Sequence, residues 1–428
     1  MISPNTIKKR RRMPIFAGMD KLTFSLLLVN VLWSGAGQAQ RPERLEPKPG
    51  LVRLIDGNLR QADNQYKILM GRVPPDRMPR SYTAANATLV TSDAGWWTSG
   101  FYPATLFYLY GESHDTALLS EGKRRLKLLE KEQYNKGTHD LGFMMYCPYG
   151  NLLKLIRHRQ VREPESPIDS VLMNSARSLS TRFNPKVGCI RSWDSKPWNY
   201  PVIIDNMMNL ELLFRASKES GDSSFYRIAV THANTTLQNH FRPDYSSWHV
   251  VDYDTATGQV LARKTAQGYA DSSAWARGQS WGLYGYTMVY RYTHDPKYLV
   301  QAVHIADYIL ARLPADKVPY WDYDAPGGPR VLRDASAGAI LASALLELCR
   351  EAPPGKGRAY LDVAEQIIVT LSSSTYHAVV GANGGFLLMH SVGNLPGRSE
   401  IDMPLAYADY YFVEAMLRYK ELEHSERW

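Results

Sequence analysis

Trp275-Ala276-Arg277-Gly278 runs directly into Gln279-Ser280-Trp281-Gly282-Leu283-Tyr284-Gly285-Tyr286-Thr287-Met288-Val289-Tyr290. A polar and aromatic lead is followed by a helix that is apolar nearly all round, the pattern of a helix buried on most sides. The same succession occurs five more times. Trp96-Trp97-Thr98-Ser99-Gly100 leads into Phe101 to Tyr110, and His139-Asp140-Leu141-Gly142 into Phe143 to Leu155. Asp205-Asn206 leads into Met207 to Ala216, Arg333-Asp334-Ala335-Ser336 into Ala337 to Leu348, and Glu400-Ile401-Asp402 into Pro404 to Leu417. Between these lie amphipathic segments: Asp115 to Glu132, Pro167 to Phe183, Ser223 to Gln238, Pro296 to Leu313 and Ala359 to Ser373. Buried helices alternating with half-buried ones predict two concentric layers, an all-α barrel of six helical hairpins, (α/α)6. The spacing is uneven, roughly 40 to 70 residues, so the repeat is imperfect.

Such a ring gathers the polar leads at one end, at the N-termini of the inner helices, where partial positive charge favours an anionic ligand. Plain capping accounts for residues such as Asp334 and Asp402. It does not account for Trp96, Trp97, Trp275, Trp281 and Arg277. Tyr200-Pro201-Val202-Ile203-Ile204-Asp205-Asn206-Met207-Met208-Asn209 adds one carboxylate after an apolar run. Indoles beside fixed polar groups suit a sugar pocket better than a core, because indoles stack on pyranose faces.

Composition narrows the class. Hydrophobic residues make up 44% and charged residues 21% of the 428, an ordinary globular balance. The net charge of +8 points away from nucleic acid once it is located: Lys8, Lys9, Arg10, Arg11, Arg12 and Lys21, offset by Asp20, place +5 in the first 39 residues and leave +3 for the rest. That basic start, the apolar run Leu22 to Trp33 and Gly37-Gln38-Ala39 read as a cleavable signal peptide over residues 1–39. The run is too short for a membrane anchor, so the expectation is a periplasmic or secreted protein, with a linker at 40–50 and one catalytic domain at 51–428. Cys147, Cys189 and Cys349 are too few and too scattered for a disulfide framework or a zinc site. Buried apolar packing is the expected role of all three.

The chain resembles an unsaturated glucuronyl hydrolase of glycoside hydrolase family 88. The resemblance rests on Trp97-Thr98-Ser99-Gly100-Phe101, His139-Asp140-Leu141-Gly142-Phe143, Gly188-Cys189-Ile190-Arg191-Ser192-Trp193-Asp194 and Pro201 to Leu210. It continues through His232 to Thr236, Arg242 to Ser246, Thr265 to Ala270, Ser273 to Gln279 and Glu400-Ile401-Asp402. It implies the six-hairpin barrel. It also implies hydration of the C4=C5 double bond that a polysaccharide lyase leaves on a non-reducing-end uronic acid. By the same resemblance Asp205 is the acid and base, Asp140 the second essential carboxyl facing it, and Trp97, His139, Trp193, His249, Gln267, Trp275, Arg277 and Trp281 the substrate-binding set. No metal or organic cofactor is implied. The expected partner is an unsaturated glycosaminoglycan di- or oligosaccharide of chondroitin, hyaluronan or heparin type, and the expected assembly a monomer or weak homodimer.

The chemistry fits the residue types. The substrate is an enol ether, and one group that gives a proton to C4 and then takes one from water serves both steps. An ordinary Asp, with a pKa near 3.9, is a poor acid at neutral pH. Val202, Ile203, Ile204, Met207 and Met208 supply the desolvation that would raise it, and a second carboxylate raises it further. Competing readings stand beside these. Asp205 and Asp140 equally suit helix starts, and the indoles equally suit a core. Arg277 either grips the uronate carboxylate bidentately or sits in a buried ion pair. Ser391 or Arg398, in Ser391 to Arg398, either meets a sulfate or belongs to a solvated turn. At the level of the whole chain the alternatives are an unsaturated rhamnogalacturonyl hydrolase, a non-catalytic sugar-binding barrel and a toroidal lyase.

Overall fold

Four of the described helices start at a capping aspartate. Asp115, Asp222, Asp295 and Asp334 each accept, through a side-chain oxygen, the backbone N–H two residues on. This satisfies donors that a helix start leaves open. The structure is a computed structural model that describes residues 45–423; the expected signal peptide lies outside the described residues.

Twelve helices among the described residues form six outer–inner pairs: α1 (Pro49–Arg72) with α2 (Phe101–Ser113), α3 (Thr116–Leu129) with α4 (Cys147–Arg157), α5 (Ser166–Ser180) with α6 (Leu210–Ser220), α7 (Ser223–Asn239) with α8 (Ala276–Thr293), α9 (Pro296–Leu310) with α10 (Ala335–Glu351), and α11 (Lys356–Leu371) with α12 (Ala406–Lys420). The second helix of each pair is the inner one. Every residue from Phe101 to Tyr110, Ala276 to Val289, Ala335 to Cys349 and Ala406 to Tyr419 is buried. The first of each pair buries one face, as its amphipathic pattern dictates. Inner helices pack on one another around the ring, and α12 packs on α2 to close it.

The outer-to-inner connections are long and carry all the strands. β1 (Met78–Thr83) pairs antiparallel with β2 (Thr88–Ser92), β3 (Phe183–Asn184) with β4 (Cys189–Ile190), and β8 (Ser391–Asn394) with β9 (Ser399–Met403). β5 (Pro201–Ile203), β6 (Val250–Tyr253) and β7 (Val260–Lys264) form a three-stranded sheet. The returns from inner to outer helix are short turns. The elaborated end of the barrel is therefore the end where the inner helices begin.

Three expectations need correction. The segment read as a linker to residue 50 is already helical at Pro49, which occupies the first helical position that proline favours. The outer helix that Pro49 opens completes the sixth hairpin. Asp402 caps no helix: it lies in β9 and pairs with His390 Nδ1 at 2.6 Å. Ser391 is wholly buried in β8, out of reach of a sulfate, whereas Arg398 sits in the exposed turn between β8 and β9. The three cysteines are free, with Cys189 and Cys349 buried and Cys147 half-buried.

Candidate active site

The three-stranded sheet sets two side chains against each other. β5 pairs with β6 so that Ile203 lies opposite Val250, and one residue beyond that pairing Ile204 N–H donates to His249 O at 3.0 Å. The chain then turns through a 3-10 segment, Ile204–Asn209, before α6. Asp205 is the second residue of that segment, and it caps nothing. Asp205 is buried, as are its chain neighbours Ile203, Ile204, Met207 and Met208, and its Oδ2 has no hydrogen-bond partner. Burial pushes its pKa from 3.8 up to about 7; the Arg277 charge opposes the rise, and the Asp140 carboxylate adds to it.

His249 faces this carboxyl, with Nε2 3.8 Å from Asp205 Oδ2. Its Nδ1 accepts two backbone N–H groups, from Ala266 at 3.1 Å and Gln267 at 3.2 Å. A nitrogen that accepts two hydrogen bonds carries no proton, so the network assigns the neutral ring's proton to Nε2, aimed at Asp205. Burial holds His249 neutral, with a pKa of about 3.

Asp140 comes from the connection before α4. Its Oδ2 accepts from Thr138 Oγ1 at 3.3 Å and lies 3.4 Å from His139 Nε2. Asn209 ties this segment to the Asp205 turn: its Oδ1 accepts Phe143 N–H at 3.2 Å, and its Nδ2 reaches Asp140 Oδ1 at 3.5 Å. Gly142 permits the approach, since a Cβ there would lie 2.6 Å from Asn209 Cα. The chain relaxes at that point into one π-helical turn, Gly142–Tyr146, a distortion common at functional sites.

Arg277 sits in a buried ion pair. Its guanidinium meets Asp334 Oδ2 at 3.2 Å and donates to the carbonyls of Val392 and Gly393. It therefore staples the β8–β9 hairpin to the starts of α8 and α10, while its charge is felt at Asp205 and a weak 3.5 Å contact reaches Gln267 Oε1. The indoles divide. Trp281 is fully buried against Phe143 and Tyr411, and its Nε1 has no hydrogen-bond partner. Trp275 is buried, with His249 4.4 Å and the Arg277 guanidinium 4.5 Å from its ring centre. It braces those groups. Trp97 and Trp193 are half-buried. Trp97 leans on Tyr407 and Phe143. Trp193 follows Ser192, whose N–H donates to Pro201 O and whose Oγ accepts Ile203 N–H, beside the strand that leads to Asp205. His139 is buried behind Asp140.

A raised carboxyl alone does not mark the site. Asp409 is also pushed to about 7 by burial, but both its oxygens are engaged, by Leu387 N–H, Leu388 N–H and Tyr66 OH. Asp205 differs in its unpartnered oxygen. Sequence reasoning missed Asn206 and Asn209, both fully buried; two amides inside an otherwise apolar run were the available signal.

No family model matches the chain. It is 44% identical over 366 residues to an unsaturated glucuronyl hydrolase of Formosa agariphila, a match covering 84% of this chain and 89% of that protein. It is 32% identical over 331 residues to an unsaturated chondroitin disaccharide hydrolase of Streptococcus pyogenes, covering 76% and 81%. Among solved structures, an unsaturated glucuronyl hydrolase specific for heparin superposes with a TM-score of 0.82 at 47% identity, over 87% of this chain and 98% of that one.

Proposed function

The chain belongs to the family of unsaturated glucuronyl hydrolases, and from that membership we propose that it hydrates the C4=C5 double bond of an unsaturated uronic acid at the non-reducing end of a lyase-generated glycosaminoglycan oligosaccharide. Protonated Asp205 gives its proton to C4. The π electrons form the new C–H bond, and positive charge develops at C5, shared with the ring oxygen. The Asp205 carboxylate then takes a proton from water as the water oxygen bonds to C5. The hemiketal opens by breaking the bond from C5 to the ring oxygen. The ring oxygen stays on C1 as a hydroxyl, and the hemiacetal so formed collapses to an aldehyde and expels the next sugar as its alcohol. One residue returns to its starting state, as a single acid–base group requires.

The observation that carries this reading is the Asp205 carboxyl, with a pKa near 7 and one unpartnered oxygen. A proton donor for carbon must be neutral at working pH and free to turn to its target. The His249 N–H, aimed at the same oxygen, stabilises the carboxylate once the proton has left. The exposed parts of Trp97 and Trp193 are the stacking surfaces. The double bond is consumed, so the test is to mix the protein with lyase-generated disaccharides and follow the ultraviolet absorbance of the conjugated alkene. Falling absorbance supports hydration, a rise indicates a lyase, and no change across sulfated and unsulfated substrates leaves binding alone. The 47% identity to a heparin-specific enzyme makes a heparin-derived disaccharide the first substrate to assay. The leader at residues 1–39 supports export to the periplasm or beyond, which mass analysis of the mature N-terminus tests.

A further inference from the structure

Trp96 is the one indole of the helix-lead pattern that the site leaves unused. It precedes Gly100, the N-cap of α2, and is no cap itself. It is 39% exposed, and the Arg80 guanidinium lies 4.3 Å from its ring centre. Arg80 is held in turn: its Nε and Nη2 both donate to Glu400 Oε1, at 3.1 and 2.7 Å. Glu400 comes from the β8–β9 hairpin, where Arg398, Glu400 and Asp402 all hold left-handed backbone, with φ of 52, 55 and 55°. That conformation costs energy in a residue with a Cβ and persists where the surroundings fix it. The ion pair with Arg80 offsets the cost at Glu400. Gly393 on β8 makes room for the carboxylate, since a Cβ there would lie 2.5 Å from Glu400 Oε2.

This cluster lies one step outside the site. Trp97, the next residue, packs on Phe143 at 5.8 Å and on Tyr407 at 5.0 Å. Phe143 N–H donates to the Asn209 side chain that reaches Asp140, and the Arg277 guanidinium stands 5.3 Å from the Tyr407 ring centre. Arg277 also donates to the carbonyl of Gly393, the residue against which Glu400 lies. Trp97 and Arg277 thus form the inner layer of one wall, and Trp96, Arg80 and Glu400 form its outer layer. The reaction divides its substrate into a uronate, which must reach Asp205, and a leaving sugar, which extends away from it. We propose that Trp96 is the stacking platform for the leaving sugar, backed by the Arg80–Glu400 pair.

The assignment rests on the hydration reading and deepens it by placing the second sugar. A pyranose presents C–H groups on its flatter face, and an indole meets them with its π surface. The guanidinium against Trp96 fixes that ring before the sugar arrives, so binding costs less ordering. Glu400 already neutralises the Arg80 charge. The platform therefore reads the face of the ring and not a sulfate carried on it. The class it takes is a pyranose leaving group with one open face, sulfated or not.

The test compares leaving groups. Wild type and Trp96→Ala are assayed on an unsaturated disaccharide and on the methyl glycoside of the same unsaturated uronate, which releases methanol and has no second ring. The disaccharide should lose about tenfold more kcat/KM than the methyl glycoside, mostly through KM, and Trp96→Phe should recover part of the loss. An equal loss on both substrates means that Trp96 acts only by supporting Trp97, and overturns the proposal. Two disaccharides that differ only in a sulfate on the second sugar should suffer alike, within about threefold. A loss confined to the sulfated one also overturns it. Affinity is measured separately, by calorimetry of the disaccharide with Asp205→Asn and with the Asp205→Asn, Trp96→Ala double variant. The double variant should bind about tenfold more weakly, and equal affinities refute the platform. This readout needs no turnover, so it stands even if the alkene absorbance never falls in the wild type, an outcome that would sink the hydration reading alone.

Discussion

Replacing Asp205 by Asn should abolish turnover and, above neutral pH, make the protein more stable. The reason is the desolvation that raises the carboxyl. In the unfolded chain Asp205 ionises near 3.8, and in the fold near 7. A group raised in this way lends its full stability below pH 3.8, loses it progressively as pH climbs to about 7, and is a fixed burden beyond. At 1.36 kcal/mol per tenfold change in proton affinity, the interval from 3.8 to about 7 amounts to about 4 kcal/mol. Asn is isosteric and never ionises, so Asp205→Asn should match the wild type near pH 4 and exceed it by up to about 4 kcal/mol at pH 8. With an unfolding entropy of about 2.1 cal/mol/K per residue over roughly 380 residues, that is about 5 °C in Tm. The assay is thermal or denaturant unfolding of both proteins from pH 4 to 9, beside alkene absorbance on a disaccharide substrate. A difference that stays flat with pH, or a variant weaker than wild type at pH 8, would refute the claim that Asp205 is held neutral by burial.

The wild-type enzyme should lose kcat as pH rises through about 7, where Asp205 gives up its proton, and a kcat–pH profile flat from 6 to 9 would contradict this. Asp140→Asn should also cut turnover at least about a hundredfold and leave Tm within a few degrees; near-normal turnover would remove Asp140 from the chemistry. Arg277→Met strands Asp334 in the interior, so stability should drop by about 3–5 kcal/mol, measured by urea unfolding; an unchanged midpoint would deny the staple its role. The two kinds of indole should separate. Trp281→Ala should lower stability by about 3–5 kcal/mol, while Trp193→Ala should raise KM up to about tenfold with little change in unfolding.

The fold was legible because the barrel writes itself as a pattern. A helix covered on all sides has to be apolar nearly all round, and Ala335 to Cys349 and Ala406 to Tyr419 are buried throughout with only a few polar members. The first outer helix escaped because Pro47 and Pro49, with the charges around them, resemble a linker; proline starts a helix as readily as it breaks a chain. Asp402 escaped because a carboxylate before an apolar helix has the same sequence signature in a cap and in a hairpin. At the site, the enclosure of Asp205 could be read from its apolar neighbours. The sorting of Trp97, Trp193, Trp275 and Trp281 could not. Trp97, Trp275 and Trp281 stand at or near helix starts and Trp193 in the loop after β4, and only tertiary packing decides how far each ring is covered. Asn206 and Asn209 needed the structure for the same reason, since their partners Ile190, Phe143 and Asp140 lie far away in sequence.

The most direct measurement runs the reaction in deuterated water and follows the fate of C4. Proton transfer from Asp205 to carbon predicts one deuterium at C4 of the released keto sugar, on one face only, and no carbon–carbon double bond remaining. It also predicts that Asp205→Asn incorporates none. A released uronic acid that keeps its alkene and carries no deuterium at C4 would mean that the glycosidic carbon is attacked instead, and the role assigned to Asp205 would fall.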